Sequence, residues 1–157
     1  ATTTDLVNGE GSRRFGGRWN PPGVAAVYGS LTPQTALEET LAHCRYYGLP
    51  LHAAMPRTFV AIAVDLASIL DLTQGWLRTS LGISKKRMLE CDWRGELQAG
   101  RTPLTQEVGR GVYLAGLEGV LVPSAAHAGG KNLVVFVGNL RAGSTVSLLA
   151  THRLGST

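Results

Sequence analysis

Three short stretches hold the residues best suited to chemistry. Residues 9–23 (GEGSRRFGGRWNPPG) are rich in Gly and Pro and carry three arginines and two aromatics. Gly16 and Gly17 permit unusual backbone angles and close approach to a ligand. Arg18 can grip a phosphate or carboxylate through its planar fork, and Trp19 offers an apolar wall. The stretch lacks a following Gly-Lys-Ser/Thr, and no strand precedes it in the way a dinucleotide fingerprint needs. Without more context it reads as a surface turn with solvated arginines.

The second stretch joins Tyr28 to Glu38 and Glu39. Val24–Tyr28 is an apolar run that predicts a strand, so the Tyr28 ring can project into a cleft at the sheet edge. The two glutamates fall in the first half of a predicted helix, about 100° apart around its axis, so at most one faces a given pocket. Read alone, they are two solvated carboxylates near a helix start, where the dipole favours negative charge. The third stretch is Pro123-Ser124-Ala125-Ala126-His127. Ser and His invite a hydrolase, but no Gly-x-Ser-x-Gly elbow is present, and neighbours three apart on a loop do not make a triad. A hydrogen-bonding Ser at a strand end is the better reading. Asn132 is a turn residue or a ligand contact. His43, His52, His127 and His152 are scattered, and Cys44 and Cys91 match no ligand spacing, so no metal site is expected.

The elements that position these residues follow from local signals. Thr32 is a good N-cap and Pro33 suits the first helical position. Leu37, Leu41 and Cys44 then form one apolar stripe, and the helix should end near Tyr47-Gly48. Thr58–Leu66 is the clearest strand, apolar on both faces as a central, doubly covered strand would be. Short helices are expected around Ser68–Leu70 and Lys85–Cys91. Thr102-Pro103 should start a helix running to about Ala115. Glu118-Gly119 turns into a strand Val120–Val122, a polar loop leads from Ser124 to Asn132, and further strands cover Leu133–Val137 and Thr145–Leu149. Short strands with interspersed helices predict a mixed α+β domain, without repeated βαβ units.

Composition sets the frame. The 157 residues are 44% hydrophobic and 17% charged, which fits one folded domain over 1–157 and excludes disorder. The 20 glycines follow no three-residue period, which excludes collagen. No apolar run approaches a membrane span, no secretion signal stands at the N-terminus, and two reduced, buried thiols are expected, so the chain reads as cytoplasmic. Residues 1–78 carry six Lys/Arg and six Asp/Glu, and residues 79–157 carry nine and five, so the second half supplies the whole net charge of +4. Lys85-Lys86-Arg87 is the densest cluster and reads as a solvated helix face.

The motifs also carry a family resemblance. Gly16-Gly17-Arg18-Trp19-Asn20, Gly23, Val27-Tyr28, Ala36 and Glu39 resemble the start of the RES domain family. Gly119 to Ser124 and Asn132 to Phe136 resemble its C-terminal half, so the likeness runs from about Gly11 to Val137. The arginine, glutamate and serine that name the family correspond to Arg18, Glu39 and Ser124. The resemblance implies an ADP-ribosyltransferase-like fold, a split, mixed β core with helices around a NAD cleft. It implies a bacterial toxin that breaks the nicotinamide–ribose bond of NAD⁺, with water or phosphate as acceptor. Glu39, Arg18 and Tyr28 would then be catalytic, and Arg18, Tyr28, Ser124, Gly17, Trp19 and Asn132 would line the substrate. NAD⁺ is the substrate and no further cofactor or metal is implied. The implied partner is an antitoxin with a helix-turn-helix region that blocks the cleft, so that DNA is met only through it, in a hetero-oligomer or beside a homo-oligomer. Family members begin with a strand well before Gly-Gly-Arg-Trp, whereas only fifteen residues, mostly polar, precede it here. Two other readings stay open: transfer of ADP-ribose to a protein, and a basic nucleic-acid-binding module resting on the net charge and Lys85–Arg87.

Overall fold

In the computed structural model, which describes residues 6–54 and 58–153, the local signals around residue 32 are met in full. Helix α2 spans Pro33–Tyr46, with Thr32 as N-cap; its hydroxyl accepts the Thr35 N–H at 3.1 Å. Before it come helix α1 (Glu10–Phe15) and strand β1 (Ala26–Ser30). After it come β2 (Thr58–Asp65), β3 (Ile69–Asp71), α3 (Gly75–Leu81), α4 (Lys85–Glu90), α5 (Trp93–Gln98), α6 (Leu104–Leu114), β4 (Gly119–Pro123), β5 (Lys131–Phe136) and β6 (Thr145–Arg153).

The strands form two sheets. A four-stranded sheet runs in the order β1-β5-β4-β3, with β1, β5 and β4 antiparallel and β3 parallel to β4. A separate antiparallel pair joins β2 to β6, with a register shift between Ala61 and Ile62. The architecture is α+β with a mixed, split β core, as expected from the sequence.

One face of the larger sheet carries the core. Val120 and Val122 of β4 and Val134 and Phe136 of β5 alternate toward Leu72, Met88 of α4 and Val112 of α6. Each of these side chains is almost wholly withdrawn from water, a gain of roughly 1.5–3 kcal/mol apiece before chain entropy is counted.

Several expectations are corrected. Residues 10–15 are helical rather than loop, because Glu10 pairs with Arg13 one turn on at 2.6 Å and Ser12 ties the turn to the Ala26 N–H at 2.8 Å. The first strand begins two residues later than Val24, where pairing with β5 begins. Thr58–Asp65 is a strand but not a central one: among the described residues its one partner is β6, and none of Phe59–Asp65 is fully buried. Residues 69–71 are a strand, because pairing with β4 outweighs local preference in so short a segment. Pro103 itself, not Thr102, caps α6. Glu118 is no surface turn: it is fully buried. Cys44 is buried as expected, whereas Cys91 is half-buried, 3.7 Å from the Thr105 hydroxyl. Among the described residues no helix is long and apolar enough to cross a membrane.

Candidate active site

The two α2 glutamates part company. Glu38 takes a hydrogen bond from Gln34 at 3.1 Å on the exposed face. Glu39, about 100° further round, turns toward the ends of β4 and β5. Its Oε1 accepts two short bonds, from the Ser124 hydroxyl and from Asn132 Nδ2, each 2.6 Å.

Both donors are themselves oriented. Ser124 follows β4, is 6% exposed, and its oxygen accepts the N–H groups of Ala126 (3.1 Å) and His127 (3.0 Å). With its lone pairs so used, the hydroxyl proton is left to point at Glu39. Asn132 lies in β5 opposite Ser30 of β1, whose hydroxyl donates to Asn132 Oδ1 at 2.7 Å. That bond sets the amide so that its NH₂ faces the carboxylate. The start of α2 is tied to the same loop by Thr35 Oγ1 and His127 Nδ1, 2.9 Å apart.

Tyr28 ends with its hydroxyl locked. It donates to Asn20 Oδ1 at 2.6 Å and accepts the Trp19 N–H at 2.9 Å, while Asn20, fully buried, donates to the carbonyls of Ser12 (3.0 Å) and Val24 (2.7 Å). Burial of this hydroxyl pushes its pKa well above the ordinary tyrosine range, so it stays a neutral donor. The residue is nonetheless 40% exposed: the polar end is anchored and the ring stays open to solvent. Gly17 is required here, since a Cβ would fall 2.6 Å from the Tyr28 oxygen.

Arg18 reaches the last turn of α4, donating from Nη2 to the carbonyls of Met88 (2.9 Å) and Leu89 (3.1 Å). Those carbonyls lie at the negative end of the helix. Burial lowers the guanidinium pKa, and the nearby Cys91, Glu39 and Tyr28 pull the other way. Glu39 thus favours the charged Arg18 guanidinium without an ion pair between them.

The structure therefore gathers Arg18, Tyr28, Glu39, Ser124 and Asn132. Trp19 is a correction: its indole is 4% exposed and belongs to the core, because Trp19 lies beneath α6 and its side chain packs inward. Three organising residues take no role in the sequence reading, although Asn20 belongs to the Gly-Gly-Arg-Trp-Asn motif. Asn20 and Gln106, which donates to the Gly17 carbonyl at 2.7 Å, are buried polar groups that hold the Arg18 segment. Ser30 becomes visible only through the β1–β5 register. Among the described residues no group of three or more His, Cys, Asp or Glu is placed to hold a metal ion.

A carboxylate fixed by two donors, with a buried cation and an exposed aromatic face beside it, can bind a charged ring compound and stabilise positive charge next to it. This defines a class: an α+β protein with a split, mixed sheet and a glutamate–serine–arginine site. The RES domain matches residues 2–154, and the chain belongs to the RES domain family. It is 31% identical over 134 residues to the NAD(+) phosphorylase MbcT of Mycobacterium tuberculosis (strain ATCC 25618 / H37Rv), a stretch that covers 83% of this chain and 66% of that protein. It is 36% identical over 77 residues to the Prs ADP-ribosylating toxin of Sphingobium sp. (strain YBL2), covering 46% of this chain and 47% of that protein. The crystal structure of the M. tuberculosis MbcT–MbcA toxin–antitoxin complex contains a chain of the same fold, with a TM-score of 0.77 and 30% identity over 96% of this chain and 78% of that one. The chain spans about two thirds of the length of the mycobacterial relative.

Proposed function

We propose that this protein is a toxin that cleaves the bond between nicotinamide and ribose in NAD⁺ and passes the ADP-ribosyl group to phosphate or water. The observation that carries the reading is the Glu39 carboxylate, pinned through Oε1 by Ser124 and Asn132. The similarity to a protein named NAD(+) phosphorylase supports it and favours phosphate as acceptor.

The chemistry suits these residues. When the bond breaks, its electron pair moves onto the pyridinium nitrogen and nicotinamide leaves neutral. No proton has to be supplied to the leaving group. Positive charge builds on the ribose in an oxocarbenium-like state. Glu39 stabilises that charge, and its second oxygen, which has no protein partner among the described residues, takes the hydrogen bond of a ribose hydroxyl. The open Tyr28 ring stacks on nicotinamide and sets its angle. Arg18 keeps Nε and Nη1 for the diphosphate or adjoining ribose. Gly17 lets Tyr28 and Arg18 stand together. NAD⁺ is the substrate, and the mechanism calls on no further cofactor or metal. The toxin–antitoxin complex of the relative supports an antitoxin as partner. In this reading the antitoxin carries the helix-turn-helix region that the family resemblance implies, the protein meets DNA only through it, and both act in the cytoplasm.

The test is product identification by mass spectrometry, using protein freed of any inhibitor, with and without phosphate. With phosphate the expected product is ADP-ribose-1″-phosphate, and Glu39→Gln should lower turnover by about 10²–10³-fold with the circular dichroism spectrum unchanged. NAD⁺ left intact under both conditions would overturn the proposal. A second reading, transfer to a protein, is favoured by the likeness to the Prs ADP-ribosylating toxin. Labelled NAD⁺ incubated with lysate separates the two by whether label ends on protein or on free ADP-ribose.

A further inference from the structure

The densest basic cluster in the sequence borders a cavity. A space of about 280 Å³ opens between β4, the loop after it and helices α3 and α4, and its lining includes Arg78, Lys85, Lys131, Thr73 and Ser124. Three of these are cations, and none forms an ion pair among the described residues. Arg78 is fixed by donating Nη1 to the Leu72 carbonyl at 2.6 Å, which leaves its other nitrogens available. Asp71 lies close enough to Lys131 to feel its charge, but the Asp71 carboxylate is already engaged by Thr73 and Gln74. The wall is completed by Gly129 and Gly130. A Cβ at Gly130 would fall 2.6 Å from Thr35 Oγ1, so this loop is pressed against the start of α2. Ser124 is common to the cavity and to the carboxylate of Glu39.

We propose that Arg78, Lys85 and Lys131 form a phosphate-binding site that opens beside Ser124. Three cations that line one cavity and form no ion pair among the described residues suit a multiply charged oxyanion. Lys86 and Arg87 are solvated, as the sequence predicts, but Lys85 is not merely part of that face. The site deepens the reading of the protein as a NAD⁺-cleaving enzyme and rests on it for its purpose. Two sources offer the right chemistry: inorganic phosphate as acceptor, and the diphosphate bridge of the dinucleotide. For the acceptor the step balances without a proton. A hydrogenphosphate oxygen bonds to the ribose carbon, the carbon–nitrogen bond breaks, and its electron pair leaves on nicotinamide. The dianion's second charge cancels that of the pyridinium, and the product ester keeps one.

The experiment compares wild type with Lys85→Gln/Lys131→Gln, two exposed side chains, and with Lys86→Gln/Arg87→Gln, which removes the same charge outside the cavity. Binding of inorganic phosphate and of pyrophosphate is measured by calorimetry, and steady-state kinetics give KM for phosphate and for NAD⁺. The Lys85/Lys131 variant should bind the oxyanions at least about tenfold more weakly while the control does not. A rise in the phosphate KM alone, with product shifting to ADP-ribose, assigns the site to the acceptor. A rise in the NAD⁺ KM alone assigns it to the diphosphate. Wild type that binds neither oxyanion, a Lys85/Lys131 variant that binds both as wild type does, or a control that loses as much overturns the proposal. Wild type that binds phosphate through these lysines yet consumes no NAD⁺ would leave the site standing and refute the NAD⁺ reading instead.

Discussion

Asn132 tests the site at the scale of one side chain. Its amide NH₂ meets Glu39 Oε1 at 2.6 Å, and Ser30 holds the amide from the other side. Asn132→Asp keeps the shape and sets a second carboxylate against the first. Two carboxylates at this distance cannot both ionise readily, so one pKa of the pair must rise. The acid limb of the kcat–pH profile should therefore move to higher pH in Asn132→Asp, with turnover at neutral pH below that of Asn132→Ala. An unmoved acid limb would mean that Asn132 does not touch Glu39 during turnover. Much of this site was readable from residue type. Ser124 was expected as a hydrogen-bonding serine at a strand end, and Glu38 and Glu39 were known to face different ways. Which of the two faces inward depends on how α2 sits on the sheet, and that is tertiary information. Trp19 misled for a related reason: an aromatic in a glycine-rich stretch does not reveal which side it turns to.

At the scale of elements, what was legible is what is local. Thr32-Pro33 starts α2 because the cap and the proline act within one turn. Residues 69–71 were unreadable, since three residues become a strand only by lying beside β4. The packing of α6 on the Arg18 segment was equally hidden, and it rests on a helical glycine. A Cβ at Gly109 would overlap the backbone carbonyl of Trp19, which cannot rotate away. At Gly111, on the same helix, a Cβ meets nothing within 4 Å. Gly111→Ala should gain up to about 1 kcal/mol of helix propensity. Gly109→Ala gains the same term but should lose about 3 kcal/mol to overpacking and pull Trp19 and Gly17 out of place. Urea denaturation of the two variants checks this: opposite shifts of midpoint are expected, and equal shifts would contradict the close approach of α6 to Trp19.

At the scale of the whole molecule, one buried acid ties the two sheets together. Glu118 is fully buried just before β4. Its Oε1 accepts the N–H groups of Ala67 (2.9 Å) and Ser68 (3.0 Å), in the link from β2 to β3, and its Oε2 accepts the Arg141 N–H (3.1 Å) on the approach to β6. The sequence shows only Glu-Gly, a common turn, because its partners lie about 50 residues earlier and about 20 later. The Ser144 side chain contributes most to holding the carboxyl down, against the opposing effect of burial, and the three backbone N–H groups add to it. Together they take the pKa from 4.5 to about 2. A depressed carboxyl pKa means that the unfolded chain binds the proton more readily. The stabilisation is complete above about pH 4.5 and drains away as pH falls toward 2. Melting temperature should accordingly fall across that window in the wild type. Glu118→Gln cannot ionise, and its NH₂ would face N–H groups that need an acceptor. It should melt lower than wild type at pH 7 and show a flatter dependence between pH 4.5 and 2, so the two curves converge in acid. Curves that stay parallel through that window would mean that the two sheets are not joined through an ionised Glu118.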